Sequence, residues 1–294
     1  MLDPITLATQ HLGPITHAEP VDGFAGNQTH RLHTPTGTYY LKHTTTAPAE
    51  AHACNLAHSV NVPAPQVVAV TSTYLITEAL AGEPLPPAHL SPLREVSVPG
   101  RSRASGERPV GFASSSPLHS APVFREAGAC MRRVHQLVEP SADWQATLST
   151  AVDNLTVLHE PEIRVHLSLP PDELIVRARE HLLPFIDSVA DVTPVLLHGD
   201  LHPRHLYATD GHLTGILDWG DTTYGDPLFD LARFSMAGPR ATADFLAGYG
   251  PTDVPPHTLS CYRMLWSLMA LQAEHAAGGD WFHPHVATIT YELS

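Results

Sequence analysis

The stretch Leu196 to Asp230, LLHGDLHPRHLYATDGHLTGILDWGDTTYGDPLFD, constrains the chain more than any other. Two carboxylates stand in it, Asp200 within His198-Gly199-Asp200 and Asp218 within Asp218-Trp219-Gly220-Asp221. Each follows a short apolar run, Val195-Leu196-Leu197 and Leu213 to Leu217, as expected of buried strands that end at a site. Between them, Leu206-Tyr207-Ala208 and Leu213 to Leu217 flank Thr209-Asp210-Gly211-His212. Asp-Gly between apolar runs predicts a tight hairpin, because Gly accepts the positive φ such a turn needs. The hairpin folds the loop after Asp200 back alongside Asp218, so two acids well separated in sequence face one pocket.

A single His-Gly-Asp or Asp-Trp-Gly carries little, but the ordered set, followed by Gly225-Asp226-Pro227, is specific. It resembles the aminoglycoside phosphotransferase family of small-molecule kinases, which share the protein-kinase-like fold. The resemblance implies an α+β, bilobal fold, with an antiparallel sheet and one helix in a small N-lobe and a larger, mostly helical C-lobe. It implies that Asp200 positions and deprotonates the substrate hydroxyl and that Asp218 holds Mg²⁺ on the ATP phosphates. The bland reading of both acids, as turn or capping residues, is outweighed by the constellation. His198 belongs to the catalytic motif, but orienting the loop or satisfying buried backbone is its favoured role. Five residues after Asp200, where the family usually has Asn, stands His205. Imidazole suits softer metals than Mg²⁺. As a metal ligand His205 predicts one tightly held metal in place of two, tolerance of Mn²⁺, or a chain that binds nucleotide without turning it over.

Upstream, Gly23-Phe24-Ala25-Gly26 precedes a strand-like segment, and two glycines there let backbone amides approach an anionic ligand closely. The loop resembles the family's nucleotide-binding loop; alone, an ordinary β-turn is the better reading. Thr38-Tyr39-Tyr40-Leu41-Lys42 is β-rich and ends in the only lysine of the chain, against fifteen arginines. A composition that prefers Arg so strongly keeps Lys where a compact point charge is needed. The resemblance implies that Lys42 contacts the α- and β-phosphates. Glu50, the only acid between Lys42 and Thr77, lies in the first turn of a helix read from Pro48 and the apolar positions 53, 57 and 60. It is the expected partner of Lys42, although the helix dipole alone would favour an acid there.

Gln66 to Val70 and Tyr74 to Thr77 read as strands, and Glu78-Ala79-Leu80-Ala81-Gly82 resembles the hinge, where backbone groups near Glu78 to Leu80 would meet the adenine edge. The expected organisation is an N-lobe over 1–78, a hinge at 79–82 and a C-lobe over 83–294. Ser91 to Pro122 interrupts it with eight Ser, five Pro, three Gly and four Arg in 32 residues and no periodicity, a composition expected to stay mobile. Helices are expected over Phe124 to Val138, Trp144 to Leu158, Asp172 to Val189, Ala241 to Gly248 and Leu259 to Ala277. Asp226 and Asp230 read as a cap and a buried hydrogen-bonding acid. Glu274 is a candidate contact for a cationic substrate but reads more simply as an exposed helix acid, and His283-x-His285 reads as surface.

At 294 residues the chain can bury a sizeable core in one domain or two lobes. A formal charge of −14 argues against a nucleic-acid surface and suits a cationic substrate. Three isolated cysteines argue against a disulfide scaffold and fit a reducing cytoplasm. No run approaches a membrane span, and the start lacks the pattern of a secretory signal. The expectation is a cytoplasmic ATP- and Mg²⁺-dependent (or Mn²⁺-dependent) phosphotransferase acting on a hydroxyl of a small molecule, with an aminoglycoside or similar cationic antibiotic as the leading acceptor. Amino sugars, choline-like or homoserine-like alcohols are the second choice, and a catalytically silent nucleotide binder the third. A metal-dependent hydrolase built on His198, His202, His205 and the two acids lacks an upstream H-x-H partner and leaves Lys42 idle. Oligomeric state is left open.

Overall fold

The computed structural model describes residues 4–21, 28–85 and 120–294. Gly23 and Gly26, and residues 91–119 of the Ser/Pro/Arg-rich stretch, lie outside the described residues. The N-lobe contains α1 (Pro4–Leu12), β1 (His17–Val21), β2 (Gln28–Thr34), β3 (Gly37–His43), α2 (Ala47–Ser59), β4 (Val67–Val70) and β5 (Tyr74–Glu78). The strands form one antiparallel sheet in the order β1-β2-β3-β5-β4. Period-two alternation assigns its faces. Leu32, Leu41, Tyr74 and Ile76 pack against Ala8 and its neighbours on α1. Leu75 points the other way, onto Ala47 and Ala51 of α2. Lys42 pairs in register with Leu75, so its side chain shares the α2 face and enters the space between the lobes.

α2 is the strut that joins the two lobes. Ala53, Cys54 and Ala57 on its far side belong to the same buried cluster as Phe124, Met131 and Trp219 of the C-lobe. Two residues past its end the chain takes a positive φ, Asn61 at 56°. The carbonyls of this turn do not go unpaired. Arg133 donates Nε to Val60 O at 2.9 Å and Nη2 to Asn61 O at 2.9 Å. After the hinge, β6 (Glu83–Pro84) pairs with the C-lobe hairpin.

The C-lobe follows with α3 (Ala121–Val134), α4 (Trp144–Asp153), α5 (Pro161–Arg164), α6 (Pro171–Ser188), β7 (Val195–Leu197), β8 (Leu206–Thr209), β9 (His212–Ile216), β10 (Thr223–Gly225), α7 (Leu228–Ser235), α8 (Pro239–Tyr249), α9 (Pro256–Ala276) and α10 (Phe282–Glu292). The hairpin β8–β9 turns on Asp210 and Gly211, with φ of 52° and 82°, the pair of positive values that a two-residue turn of this hand requires. The main core gathers Trp144, Leu182, Phe185, Phe229, Tyr262 and Leu268 from α4, α6, α7 and α9.

Two helix boundaries differ from the sequence expectation. The helix expected to reach Val138 stops at Val134, because the next residues pair with the strand carrying the site: Leu196 N donates to Leu137 O at 2.7 Å and Glu139 N to Pro194 O at 2.9 Å. Val138, placed on the apolar face by periodicity, is 57% exposed and bridges Val195. The expected Trp144–Leu158 helix divides into α4 and a 3-10 segment over Asn154–His159. No described helix is long and apolar enough to cross a membrane.

Candidate active site

The first acid is placed by a buried scaffold. β7 pairs with β10 and ends at Leu197, just before His198. The backbone amides of His198 and Gly199 then donate to the two carboxylate oxygens of Asp230, at 2.8 and 2.9 Å. Asp230, fully buried on α7, also receives His135 Nε2 at 3.1 Å, while His135 Nδ1 and the Tyr249 hydroxyl share a hydrogen bond of 2.8 Å. Burial alone would raise the Asp230 pKa; the His135 hydrogen bond and charge and the His198 contacts more than offset it, and the carboxyl sits below its ordinary value. Asp230 is therefore the buried hydrogen-bonding acid that the sequence suggested. Asp226 caps α7 by accepting Leu228 N at 2.8 Å and also takes the Tyr262 hydroxyl at 2.8 Å. Gly199 has φ of +87°, and a Cβ there would collide with the Asp221 carbonyl, so the bend before Asp200 admits only glycine.

His198 does not face the cleft. Its ring is wholly buried against Trp219, 4.8 Å between centroids, and Nε2 donates to Leu217 O at 3.0 Å. It ties the approach to Asp218 onto the loop of Asp200. The motif placed it among catalytic groups; its burial makes it a positioning residue.

Asp200 emerges partly exposed. Its Oδ1 accepts Arg233 Nε at 2.6 Å, and its Oδ2 stands 3.9 Å from His205 Nδ1. Trp266 Nε1 donates to Gly199 O at 3.0 Å and fixes the loop from the α9 side. Asp218 lies just beyond β9 in a left-handed conformation, φ 67° and ψ 64°, which costs a non-glycine residue about 1 kcal/mol or more. Lys42 Nζ bridges the lobes, 2.9 Å from Glu50 Oε2 and 3.0 Å from Asp218 Oδ1. Burial opposes the lysine charge, but Asp218 and then Glu50 outweigh it and raise the pKa. Asp218 responds in kind: burial pushes its carboxyl up, while Lys42 and then His205 pull it below the ordinary range. Lys42, Glu50, Leu80, Tyr207 and Asp218 line one cleft of about 260 Å³.

At the segment expected to serve as a hinge, fewer amides are open than the sequence suggested. Glu78 N donates to Gln66 O at 2.9 Å and Ala79 N to Thr38 O at 3.0 Å, so the Glu78 amide is not free for a ligand. The Leu80 amide has no such backbone partner among the described residues.

The donor set fits a divalent cation. His205 Nδ1 lies 2.9 Å from the Asp200 carbonyl, an acceptor only, so in the neutral ring Nδ1 carries the proton and Nε2 the lone pair. That nitrogen is 3.8 Å from Asp218 Oδ2, the oxygen Lys42 does not occupy. A carboxylate and an imidazole suit Mn²⁺ as well as Mg²⁺.

Four residues of this region were not anticipated, or were read otherwise. Arg233 is buried on α7 between Phe229, Leu231, Ala232 and Phe234; an arginine inside so apolar a helix was the available signal. Trp266 gave no signal, since it sits in an evenly apolar helix. Glu274, read as exposed, is buried and accepts Trp281 N at 3.0 Å. His285, read as surface, is buried between Trp266 and Trp281, because α10 folds back on α9.

With this geometry established, comparison with known proteins is direct. The family model described as "Phosphotransferase enzyme family" matches residues 17–259. The structure is similar to that of aminoglycoside phosphotransferase APH(2'')-Ib bound to ADP, at a TM-score of 0.66 and 13% identity, covering 99% of this chain and 96% of that one. It is also similar to a thermostable mutant of APH(4)-Ia (TM-score 0.67, 14% identity, 98% and 97% covered). Macrolide 2'-phosphotransferase MphH from Brachybacterium faecium gives 0.59 at 17% identity, with 98% and 97% covered. At such identities the likeness establishes the kinase-like fold. An uncharacterized protein of Bacillus subtilis (strain 168), YcbJ, is 41% identical over 56 residues, so the match spans 18% of each chain. Because the family model covers most of its length, this chain belongs to the phosphotransferase enzyme family.

Proposed function

We propose that the protein transfers the γ-phosphate of ATP, with Mg²⁺ or Mn²⁺, to a hydroxyl of a small molecule. The observation that carries this reading is the Glu50–Lys42–Asp218 bridge across the cleft, with Asp200 on the adjoining loop. Lys42 supplies the compact charge that phosphate oxygens need, and the Leu80 amide has no backbone partner among the described residues. Asp218 Oδ2 and His205 Nε2 would hold the cation, which when bound neutralises phosphate charge. Asp200 keeps one oxygen beyond the reach of Arg233 and can take the proton of the acceptor hydroxyl. Phosphoryl transfer asks mainly for such positioning and charge placement.

The solved neighbours named for aminoglycosides and a macrolide support a small hydroxylated acceptor. The sequence suggested a cationic one. Glu274, the late-helix acid available for that, has its Oε1 engaged by the Trp281 amide. A silent nucleotide binder is the second reading, favoured by the Arg233 clamp on Asp200 and by His205. Calorimetric titration with the MnATP and MgATP complexes tests the shared part of both readings. Micromolar to submillimolar binding, lost in Asp218→Ala, is expected; unchanged affinity in that variant removes Asp218 from the site.

A further inference from the structure

Asp200 opens onto a wall that is basic and aromatic. Arg233 donates Nε to Asp200, and its guanidinium lies 3.8 Å over the Trp266 ring. Nη1 reaches only the Met236 sulfur, at 4.0 Å, and Nη2 has no protein acceptor among the described residues. From Trp266 the wall continues through His285 at 5.6 Å to Trp281 at 6.0 Å. Trp281, 52% exposed, carries the guanidinium of Arg204 at 5.4 Å. Arg204 belongs to the turn directly after Asp200, so the ring of contacts closes on the loop where it began. His202 fixes that turn by accepting Arg204 N at Nδ1, 3.1 Å away.

Asp200 answers Arg233, but Arg204 is exposed and has no carboxylate within ion-pair distance among the described residues. Glu274 holds the Trp281 amide and Glu292 holds Arg263 at 2.5 Å, so both acids of the late helices are engaged. His202 and His285 are buried and held neutral, leaving the arginines as the cations. Asp221, after Trp219, and Asp280, before Trp281, are exposed, and neither lies within ion-pair distance of Arg204 or Arg233 among the described residues. An acceptor charge seated against the two guanidiniums would meet like charge if it were cationic, and like charges in contact are what a specific site uses to reject a ligand. Free guanidinium donors on an aromatic plane instead match the geometry of an oxyanion.

We propose that the acceptor is a hydroxylated small molecule bearing an anionic group, a carboxylate or phosphate, which Arg204 and the free edge of Arg233 engage while its hydroxyl faces Asp200. This rests on the phosphotransfer reading. The hydroxyl oxygen forms a bond to the γ-phosphorus, the bond from that phosphorus to the β-bridging oxygen breaks, ADP leaves, and Asp200 takes the hydroxyl proton.

The test is calorimetry on the full chain, first with the non-hydrolysable nucleotide AMP-PNP and Mn²⁺. That complex is then titrated with gluconate and glucose 6-phosphate as anions, glucose as the neutral control, and glucosamine and kanamycin as cations. Arg204 is exposed, so Arg204→Glu folds, and Arg204→Lys restores the charge. The expected result is that an anion binds at least tenfold tighter than glucose, weakens about tenfold or more in Arg204→Glu, and recovers in Arg204→Lys. Preference for gluconate or for glucose 6-phosphate distinguishes the carboxylate from the phosphate. Tighter binding of a cation, anion binding indifferent to Arg204→Glu, or no anion binding to the nucleotide-loaded protein overturns the proposal and leaves phosphotransfer standing. Failure to bind AMP-PNP at all overturns both.

Discussion

At the scale of single residues, Lys42 carries the most testable chemistry. It stands between two carboxylates, and the guanidinium of Lys42→Arg is a planar fork that does not fill a point-charge site. Lys42→Arg is expected to weaken MgATP about tenfold, or about 1.4 kcal/mol, by calorimetry; unchanged affinity would show that any cation serves there. Lys42→Ala leaves Glu50 and Asp218 facing each other without a cation and is expected to cost about 3 kcal/mol of stability in urea unfolding. His205→Asn should shift the metal preference from Mn²⁺ toward Mg²⁺, read as the ratio of the two rates. Lys42, Glu50, Asp200, Asp218 and His205 were legible in the sequence because each is a chemically exceptional residue at a fixed spacing from a motif. Arg233 and His285 were not, because what makes them matter is the helix packed against them.

At the scale of elements, the lobes are stitched through α2. Arg133 of α3 satisfies the two carbonyls that follow α2, and hydrogen bonds from a charged donor contribute about 1.5–3 kcal/mol each. Arg133→Met keeps the aliphatic bulk and is expected to lower unfolding free energy by about 2–3 kcal/mol. No change in the urea midpoint would mean that water replaces the guanidinium without loss. The strands of the site and the Asp210-Gly211 hairpin were readable because period two and turn chemistry are local. The C-terminal end of α3 was not: Leu137 and Glu139 leave the helix to pair with Pro194 and Leu196, partners far away in sequence. For the same reason Val138 looked like core and is exposed.

At the scale of the whole molecule, buried histidines set the acid limb of stability. Burial, then Arg233, pushes His285 down from 6.5 to about 4, and burial with Arg233 and Arg204 pushes His202 to about 2. A base with a depressed folded pKa stays neutral in the fold while the unfolded chain takes up its proton. Stability is therefore full above about pH 6.5 and falls as the pH drops from 6.5 toward 4, by up to about 1.4 kcal/mol per unit for each such group. Urea midpoints at about pH 7.5 and 5.5 should differ in that sense, with the difference reduced in His285→Gln. A midpoint rising on acidification would contradict it. The claim that joins all three scales is that the bridge across the cleft and Asp200 form one phosphotransfer site. Transfer of label from γ-labelled ATP to an acceptor panel, with Mg²⁺ and Mn²⁺ tested separately, measures it most directly. The account predicts a labelled product whose rate drops by about 10²–10⁴ in Asp200→Asn; an equal rate in that variant would contradict it.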